Sequence, residues 1–176
     1  QAHGNSVQWK IGPDQNTVLS WEQICDSFDA DYYMLAGDEV TFETPGWDKK
    51  FDETKQKYPD GIFCMSMYCG RGQSRLNENV TPVVTKQWRQ ALGYFWGPMF
   101  WHWNVDQWSG DLAKAIDRFE YRSDITVRIK KIKKDPTGLR NRSAGIFNRD
   151  EWTYKRCKEI YFPGDVEKLR RALKQS

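Results

Sequence analysis

The feature that most constrains this chain is an uninterrupted apolar run at residues 32–36, which ends at Gly37-Asp38-Glu39. A continuous apolar run without alternation is typical of a β-strand covered on both faces. Two acidic residues directly after such a strand place charge beside a low-dielectric core, which is unfavourable unless a partner stabilises it. The segment therefore predicts a buried strand that delivers two carboxylates to a ligand site. An ordinary turn capped by Asp38 is the alternative.

The composition indicates one folded domain with a large core. The 176 residues include nine Trp, eight Tyr and nine Phe, far more than a disordered chain carries. No apolar run approaches the roughly 20 residues of a membrane span, and the net charge of +3 does not indicate a nucleic-acid partner. Cys25, Cys64, Cys69 and Cys157 lack the spacing of zinc ligands, so we expect free thiols and a cytoplasmic location.

Apolar spacing and turn residues predict strands that alternate with helices. Strands are predicted at residues 7–11, 32–36, 61–68 and 121–132. Helices are predicted from Asp14 or Asn16 to residue 28, at 48–57, at 85–92, from Ser109 or Asp111 to residue 117, at 150–160 and at 164–173. This order predicts a single α/β domain with a largely parallel sheet.

Two blocks of the sequence carry a distinctive pattern. The first, residues 31–48, has an apolar strand, the acidic pair and an extended piece that ends in Pro-Gly-Trp-Asp. The second, residues 81–124, contains Thr81-Pro-Val-Val-Thr-Lys-Gln-Trp88, Ala-Leu-Gly-Tyr-Phe and His102-Trp-Asn-Val-Asp106-Gln-Trp. Together the blocks resemble GT-A glycosyltransferases of the family 2 type and follow the family order, and the resemblance covers roughly residues 9–129.

The resemblance implies a GT-A (Rossmann-like) fold with a mixed, largely parallel sheet flanked by helices and shortened at the N-terminus. Residues 1–60 would form the nucleotide and metal side, residues 61–147 the acceptor side, and residues 148–176 closing helices. The implied activity is an inverting, metal-assisted transfer of a sugar from a nucleotide-sugar donor to a glycan or other hydroxyl acceptor. The alternative is a non-catalytic GT-A-like module that binds a glycan or a nucleotide.

The resemblance also implies roles for individual acids. Asp38 and Glu39 match the motif that holds Mn²⁺ or Mg²⁺ on the diphosphate of the donor. Asp106 lies where such enzymes place the general base that takes the proton of the acceptor hydroxyl. Asp111 is a rival base, although an acid in the first turn of a helix is also ordinary.

Aromatic residues are the candidates for stacking on sugar rings. Trp47 belongs to the first block, and Trp101, His102 and Trp103 belong to the aromatic stretch at residues 94–103. Because large aromatic side chains usually pack in cores, we expect most of this stretch to be buried and one or two members to line the site. His102 is either a hydrogen-bond donor in the pocket or a satisfied, partly buried histidine.

Two basic segments offer anion contacts. Arg71 and Arg75 lie in a glycine-rich loop, where either guanidinium could clamp a phosphate, while solvated surface arginines are the plainer alternative. Residues 128–134 alternate Arg and Lys with Ile, a pattern that suits an anionic acceptor, a membrane surface or a solvated edge strand.

The chain departs from the family pattern in three ways. Residues 124–129 lack the His that often joins the metal site, and Glu39 replaces the usual Asp. Only 37 residues precede Asp38, so we expect recognition of the nucleotide base to be absent, reduced or supplied by a missing N-terminal segment. A homo-oligomer is the other way to cover the sheet edge left exposed.

Overall fold

The computed structural model describes residues 16–37, 40–70, 79–129 and 136–175. The helices are α1 (Thr17–Ser27), α2 (Trp47–Lys57), α3 (Lys86–Leu92), α4 (Val105–Ala115), α5 (Pro136–Ser143), α6 (Ile146–Ile160) and α7 (Phe162–Leu173). The strands are β1 (Tyr32–Met34), β2 (Val40–Phe42), β3 (Cys64–Tyr68), β4 (Val83–Thr85) and β5 (Phe119–Ile129). The strand predicted at residues 7–11 lies outside the described residues. Within the described ranges, no helix has the length and apolar character to cross a bilayer.

The five strands form one mixed sheet in the order β1-β4-β3-β5-β2. β4 pairs antiparallel with β1 and with β3, and β2 pairs antiparallel with β5, so among the described strands only β3 and β5 pair in parallel. The α/β class is confirmed, but the expectation of a largely parallel sheet is wrong. A parallel pair needs a long crossover, usually a helix; α3 and α4 lie between β3 and β5, whereas no described helix separates β3 from β4.

The inner strands β3 and β4 are covered on both faces. Cys64 packs into a core formed with α1, α3, α4, α6 and α7, which contains the fully buried Trp88 and Trp108. Met65 and Met67 point to the opposite core, formed against α2, as the alternation of a strand requires. β1 lies at one edge of the sheet, with Tyr33 buried in the first core and Tyr32 and Met34 half-buried against the second. β1 therefore contacts apolar residues on both faces, as the apolar run predicts.

Helix boundaries follow their capping residues where such residues exist. The Asn16 side chain accepts a hydrogen bond from the Leu19 N–H at 2.8 Å, and Thr85 Oγ1 accepts from the Trp88 N–H at 3.1 Å, so both predicted starts are confirmed. The predicted start of α4 is wrong, because α4 begins at Val105 after Asn104, which has φ 64° and makes no side-chain cap. Helix α5 was not predicted.

An ion-pair network centred on Arg122 fastens α2 to β5. The guanidinium donates to Asp124 on the same strand at 2.8 Å, to Glu53 at 2.6 Å and to the Lys50 carbonyl oxygen at 2.5 Å. Lys50 Nζ also lies 2.7 Å from Asp124 Oδ2. The hydrogen bond from Arg122, supported by Lys50, holds the pKa of Asp124 well below its usual range.

The pH dependence of stability should report this network. The unfolded-state pKa of Asp is about 3.9, and the folded-state pKa is lower, so the pair stabilises the fold above that pH and the contribution is lost as the pH falls below it. We expect Asp124→Asn to be less stable than the wild type at neutral pH, and the difference in urea-unfolding free energy to narrow below about pH 4. Asp48→Asn, an exposed acid of α2, is the matched control. A difference for Asp124→Asn that stays constant with pH would contradict this assignment.

Candidate active site at the carboxyl edge of the sheet

The topology brings five strand ends to one edge of the sheet. β1, β3 and β5 run in one direction, and β2 and β4 run in the other. The residues that follow β1, β3 and β5 therefore lie at the same edge as the residues that precede β2 and β4. Ligands of open α/β sheets commonly bind at this carboxyl edge.

The residues singled out from the sequence as metal-binding and phosphate-binding lie outside the described residues. Asp38 and Glu39 lie outside the described residues, but their neighbours Gly37 and Val40 are described, and the Val40 N–H donates to the Gly37 carbonyl oxygen at 3.2 Å. Val40 also pairs with Ile129 at the end of β5. Arg71 and Arg75 lie outside the described residues as well, in the stretch that follows Gly70 at the end of β3. Within the described ranges, no group of three or more His, Cys, Asp or Glu side chains is arranged to hold a metal ion.

Asn79, in the segment before β4, joins the first turn of α4 to the sheet, where its amide lies 3.4 Å from Cys64 Sγ. The Asn79 amide donates to the Asp106 carbonyl oxygen at 2.8 Å and to Ser109 Oγ at 3.1 Å. A side chain at Gly110 would crowd this approach, because its Cβ would lie 3.0 Å from the Cβ of Asn79. Gly110 therefore sits inside α4 for close packing, although glycine usually weakens a helix.

A cleft of about 420 Å³ opens beside this first turn. Its lining includes Asp106 and Asp111 of α4, together with Trp103, Asn104 and Gln107. Aromatic, amide and carboxylate side chains in one cleft are the groups that orient a polar ligand with apolar faces. The structure thus brings both predicted carboxylates and one predicted tryptophan to the same cavity.

The two carboxylates of the cleft have different surroundings. Asp111 forms an ion pair with Lys158 at 2.5 Å and accepts a hydrogen bond from the Tyr154 hydroxyl, so α6 holds it from two positions. Burial raises the pKa of Tyr154, and its hydrogen bond to Asp111 raises it further, which keeps the hydroxyl a donor. Asp106 is half-buried, and its Oδ1 accepts from the Gln107 N–H at 2.8 Å.

The aromatic stretch between α3 and α4 is fixed by carboxylates at both ends. Glu22 of α1 accepts from the N–H groups of Phe95, at 2.9 Å, and of Trp96. Asp150 of α6 has no solvent exposure and accepts from three consecutive N–H groups, those of residues 101, 102 and 103, at 3.1, 2.8 and 2.8 Å. Hydrogen bonds from N–H groups to a carboxylate are stronger than those between neutral groups.

The predicted aromatic contacts separate into core and cleft. Phe95, Trp96 and Phe100 are buried, as expected for most of the stretch, and Trp103 lines the cleft. His102 is half-buried, with Nδ1 3.2 Å from Thr17 Oγ1, which agrees with a satisfied histidine.

Two further predicted contact residues lie elsewhere. Trp101 is exposed, with the Arg149 guanidinium 3.6 Å from its ring centre. Trp47 stacks on Phe42 at 3.8 Å between ring centres and packs beside the α2 core. Neither is among the residues that line the cleft, and their contacts with substrate remain predictions.

Sequence reasoning missed the residues that build the cleft. Asn79 and Asp150 hold its backbone, and Tyr154 and Lys158 of α6 hold Asp111. Their spacing offers one signal, because Asp150, Tyr154, Cys157 and Lys158 repeat at three and four residues, as on one helix face. That spacing indicates which side of α6 packs inward but does not indicate which segment it packs against.

Comparisons with known protein families, with curated protein sequences and with solved structures gave no match. The resemblance to GT-A glycosyltransferases therefore stands on the two sequence blocks alone.

Replacing Asp150 should destabilise the fold strongly. Asp150→Ala removes the acceptor of three backbone N–H donors, and at about 1 kcal/mol for each lost hydrogen bond we expect a loss of about 3 kcal/mol in urea-unfolding free energy. Asp150→Asn keeps one acceptor oxygen and should lose less. Glu167→Ala, at an exposed acid of α7, should change the stability by no more than about 0.5 kcal/mol. Equal losses for Asp150→Ala and Glu167→Ala would refute the anchoring role.

Proposed function

We propose that this chain is an inverting glycosyltransferase of the GT-A type, which moves a sugar from a nucleotide-sugar donor to a hydroxyl acceptor. The observation that carries the proposal is the position of Asp106. Its half-buried carboxylate lies in the first turn of α4, on a cleft of about 420 Å³. Asn79 and Val80 also line the cleft, and two residues further on the Pro82 carbonyl oxygen accepts from the Leu35 N–H at 2.9 Å, close in the chain to Asp38.

In the proposed reaction, Asp106 acts as the general base. The acceptor hydroxyl oxygen attacks the anomeric carbon while the Asp106 carboxylate takes the hydroxyl proton. The bond from the anomeric carbon to the diphosphate oxygen breaks, and its electron pair leaves with the nucleoside diphosphate. Attack from the face opposite the leaving group inverts the anomeric configuration. The N–H of Gln107 and the N-terminal end of the helix both favour the negative charge that the base needs.

Asp111 suits a positioning role better than the role of base. Its carboxylate is engaged by Lys158 and Tyr154, so proton uptake would weaken an ion pair that joins α4 to α6. Trp103 is the aromatic residue placed to stack on the acceptor sugar, since it lines the cleft.

The proposal assigns a divalent cation to Asp38 and Glu39. Carboxylate oxygens are the hard ligands that Mg²⁺ and Mn²⁺ prefer, so the donor set fits either ion. When bound, the cation would offset the charge that builds on the departing diphosphate. Asp124 lies in the segment that lacks the family's His. Because Asp124 forms ion pairs with Arg122 and Lys50, the proposal does not assign it as a metal ligand in place of that His. Arg71 and Arg75 are proposed as phosphate contacts.

A cytoplasmic location is part of the proposal. All four cysteines are free thiols. Burial raises the pKa of Cys25 to about 11 and that of Cys64 to about 12, so both stay protonated and unreactive. Free, unreactive thiols suit a reducing compartment.

Donor and metal can be tested together by thermal shift. We expect Mn²⁺ with at least one member of a panel of nucleoside diphosphates and nucleotide sugars to raise the Tm by about 5 °C or more at saturation. Asp38→Asn combined with Glu39→Gln should abolish the Mn²⁺-dependent part of the shift, while the control Asp48→Asn should keep it. No shift with any donor would remove the basis of the proposal.

The two carboxylates of the cleft should respond differently to substitution. Asp106→Asn should lower kcat by about 10²–10⁴, the usual contribution of a general base, with the Tm unchanged. Asp111→Asn should lower the Tm, because Lys158 loses its partner, and should keep kcat within about tenfold. Both kcat values are measured as the release of nucleoside diphosphate from a nucleotide sugar that raised the Tm. Full activity of Asp106→Asn would exclude it as the base.

Binding without turnover would favour the non-catalytic alternative. In that case the wild-type chain would bind a nucleotide sugar or a glycan saturably, and no acceptor or water would release the nucleoside diphosphate.

A further inference from the structure

Helix α6 carries a second surface on the side away from the cleft. Its inner side holds Asp150, Tyr154 and Lys158, which contact the aromatic stretch and α4. Successive residues of a helix are about 100° apart, so Trp152 points to the opposite side. Trp152 is 65% exposed, the highest value among the large apolar side chains of the described residues. Such exposure of a Trp is unfavourable in water and marks an interaction surface when other features support it.

Basic side chains surround Trp152. Arg149, Lys155 and Arg156 lie three or four residues from it and are its neighbours on the helix surface. Glu159, the acid of this face, is paired with Arg156 at 3.1 Å. Arg149 and Lys155 have no ion-pair partner within the described ranges, so the outer face of α6 carries net positive charge.

Apolar side chains extend the surface on both sides of Trp152. Ile160, on the same side of α6, is 55% exposed, and Trp101, beneath the Arg149 guanidinium, is 39% exposed. An aliphatic side chain next to Trp and cations matches the boundary between lipid headgroups and acyl chains, where Trp is preferred. Nucleic acid would use the cations and the Trp ring but gains little from Ile160.

We infer that the outer face of α6 docks on the surface of an anionic phospholipid bilayer, with Trp152 at the headgroup boundary and Arg149, Lys155 and Arg156 against the headgroups. The cations meet a surface of opposite charge, and the exposed apolar side chains leave water. The contact is peripheral, and it is independent of the proposed transferase activity because no residue of the cleft takes part.

Co-sedimentation of the full chain with vesicles tests the inference. The probes are vesicles of phosphatidylcholine alone and of phosphatidylcholine mixed with phosphatidylglycerol. The test variant replaces Arg149, Lys155 and Arg156 with Gln, and a second variant is Trp152→Ala. The matched control replaces Lys49, Arg171 and Lys174, exposed cations of α2 and of the C-terminal helix region, with Gln, so the change in net charge is equal. Circular dichroism and Tm show that each variant is folded.

We expect the wild type to bind the mixed vesicles and to release them at high salt, with little binding to phosphatidylcholine alone. The α6 triple variant should lose about 100-fold in partitioning, the effect of three cations near an anionic surface, and Trp152→Ala should lose several-fold. The control should stay within about threefold of the wild type. Equal losses in both triple variants, equal binding to both vesicle types, or tighter binding to single-stranded nucleic acid than to the mixed vesicles would each overturn the inference.

Discussion

The architecture around the cleft depends on one carboxylate that does not reach solvent. Asp150 of α6 accepts three consecutive backbone N–H groups. A buried charge is costly unless its hydrogen bonds are complete, so these donors and Asp150 require one another. Residues 101–103 lead directly into α4, and the contact therefore fixes where α4 begins relative to α6. Glu22 of α1 holds the other end of the same aromatic stretch, so this irregular connection is held at both ends.

The cleft is assembled from parts distant in the sequence, and each part restricts another. Asn79, just before β4, holds the first turn of α4 to the sheet edge through its amide, and Gly110 permits the approach. α6 holds the next turn through Asp111. The first attachment is made to the Asp106 carbonyl oxygen itself, so the backbone of Asp106 is fixed. In the proposed reaction this would preorganise the carboxylate, because part of the cost of orienting it has been met by the fold.

Local signals allowed much of the fold to be predicted, and non-local contacts account for the rest. Side-chain caps at Asn16 and Thr85 made two helix starts predictable, since the capping bond spans three residues. The strand directions were not predictable, because β4 is short and pairs through contacts far along the chain. Asp106 was predicted from the resemblance and Trp103 from the stacking chemistry of the aromatic stretch, and both line the cleft. Asp150 was missed because a helical acid reads as a surface residue unless its partner segment is known.

The geometry of α6 explains why an exposed Trp persists two residues after a buried acid. Asp150 and Trp152 are about 200° apart around the helix axis, so no rotation of α6 buries both. The three N–H donors fix the rotation in favour of Asp150, and Trp152 must then face outward. A polar residue at position 152 would satisfy the fold equally well, so packing does not account for the Trp. Contact with a lipid surface does account for it, and docking through the outer face would leave the cleft on the inner face open to substrates.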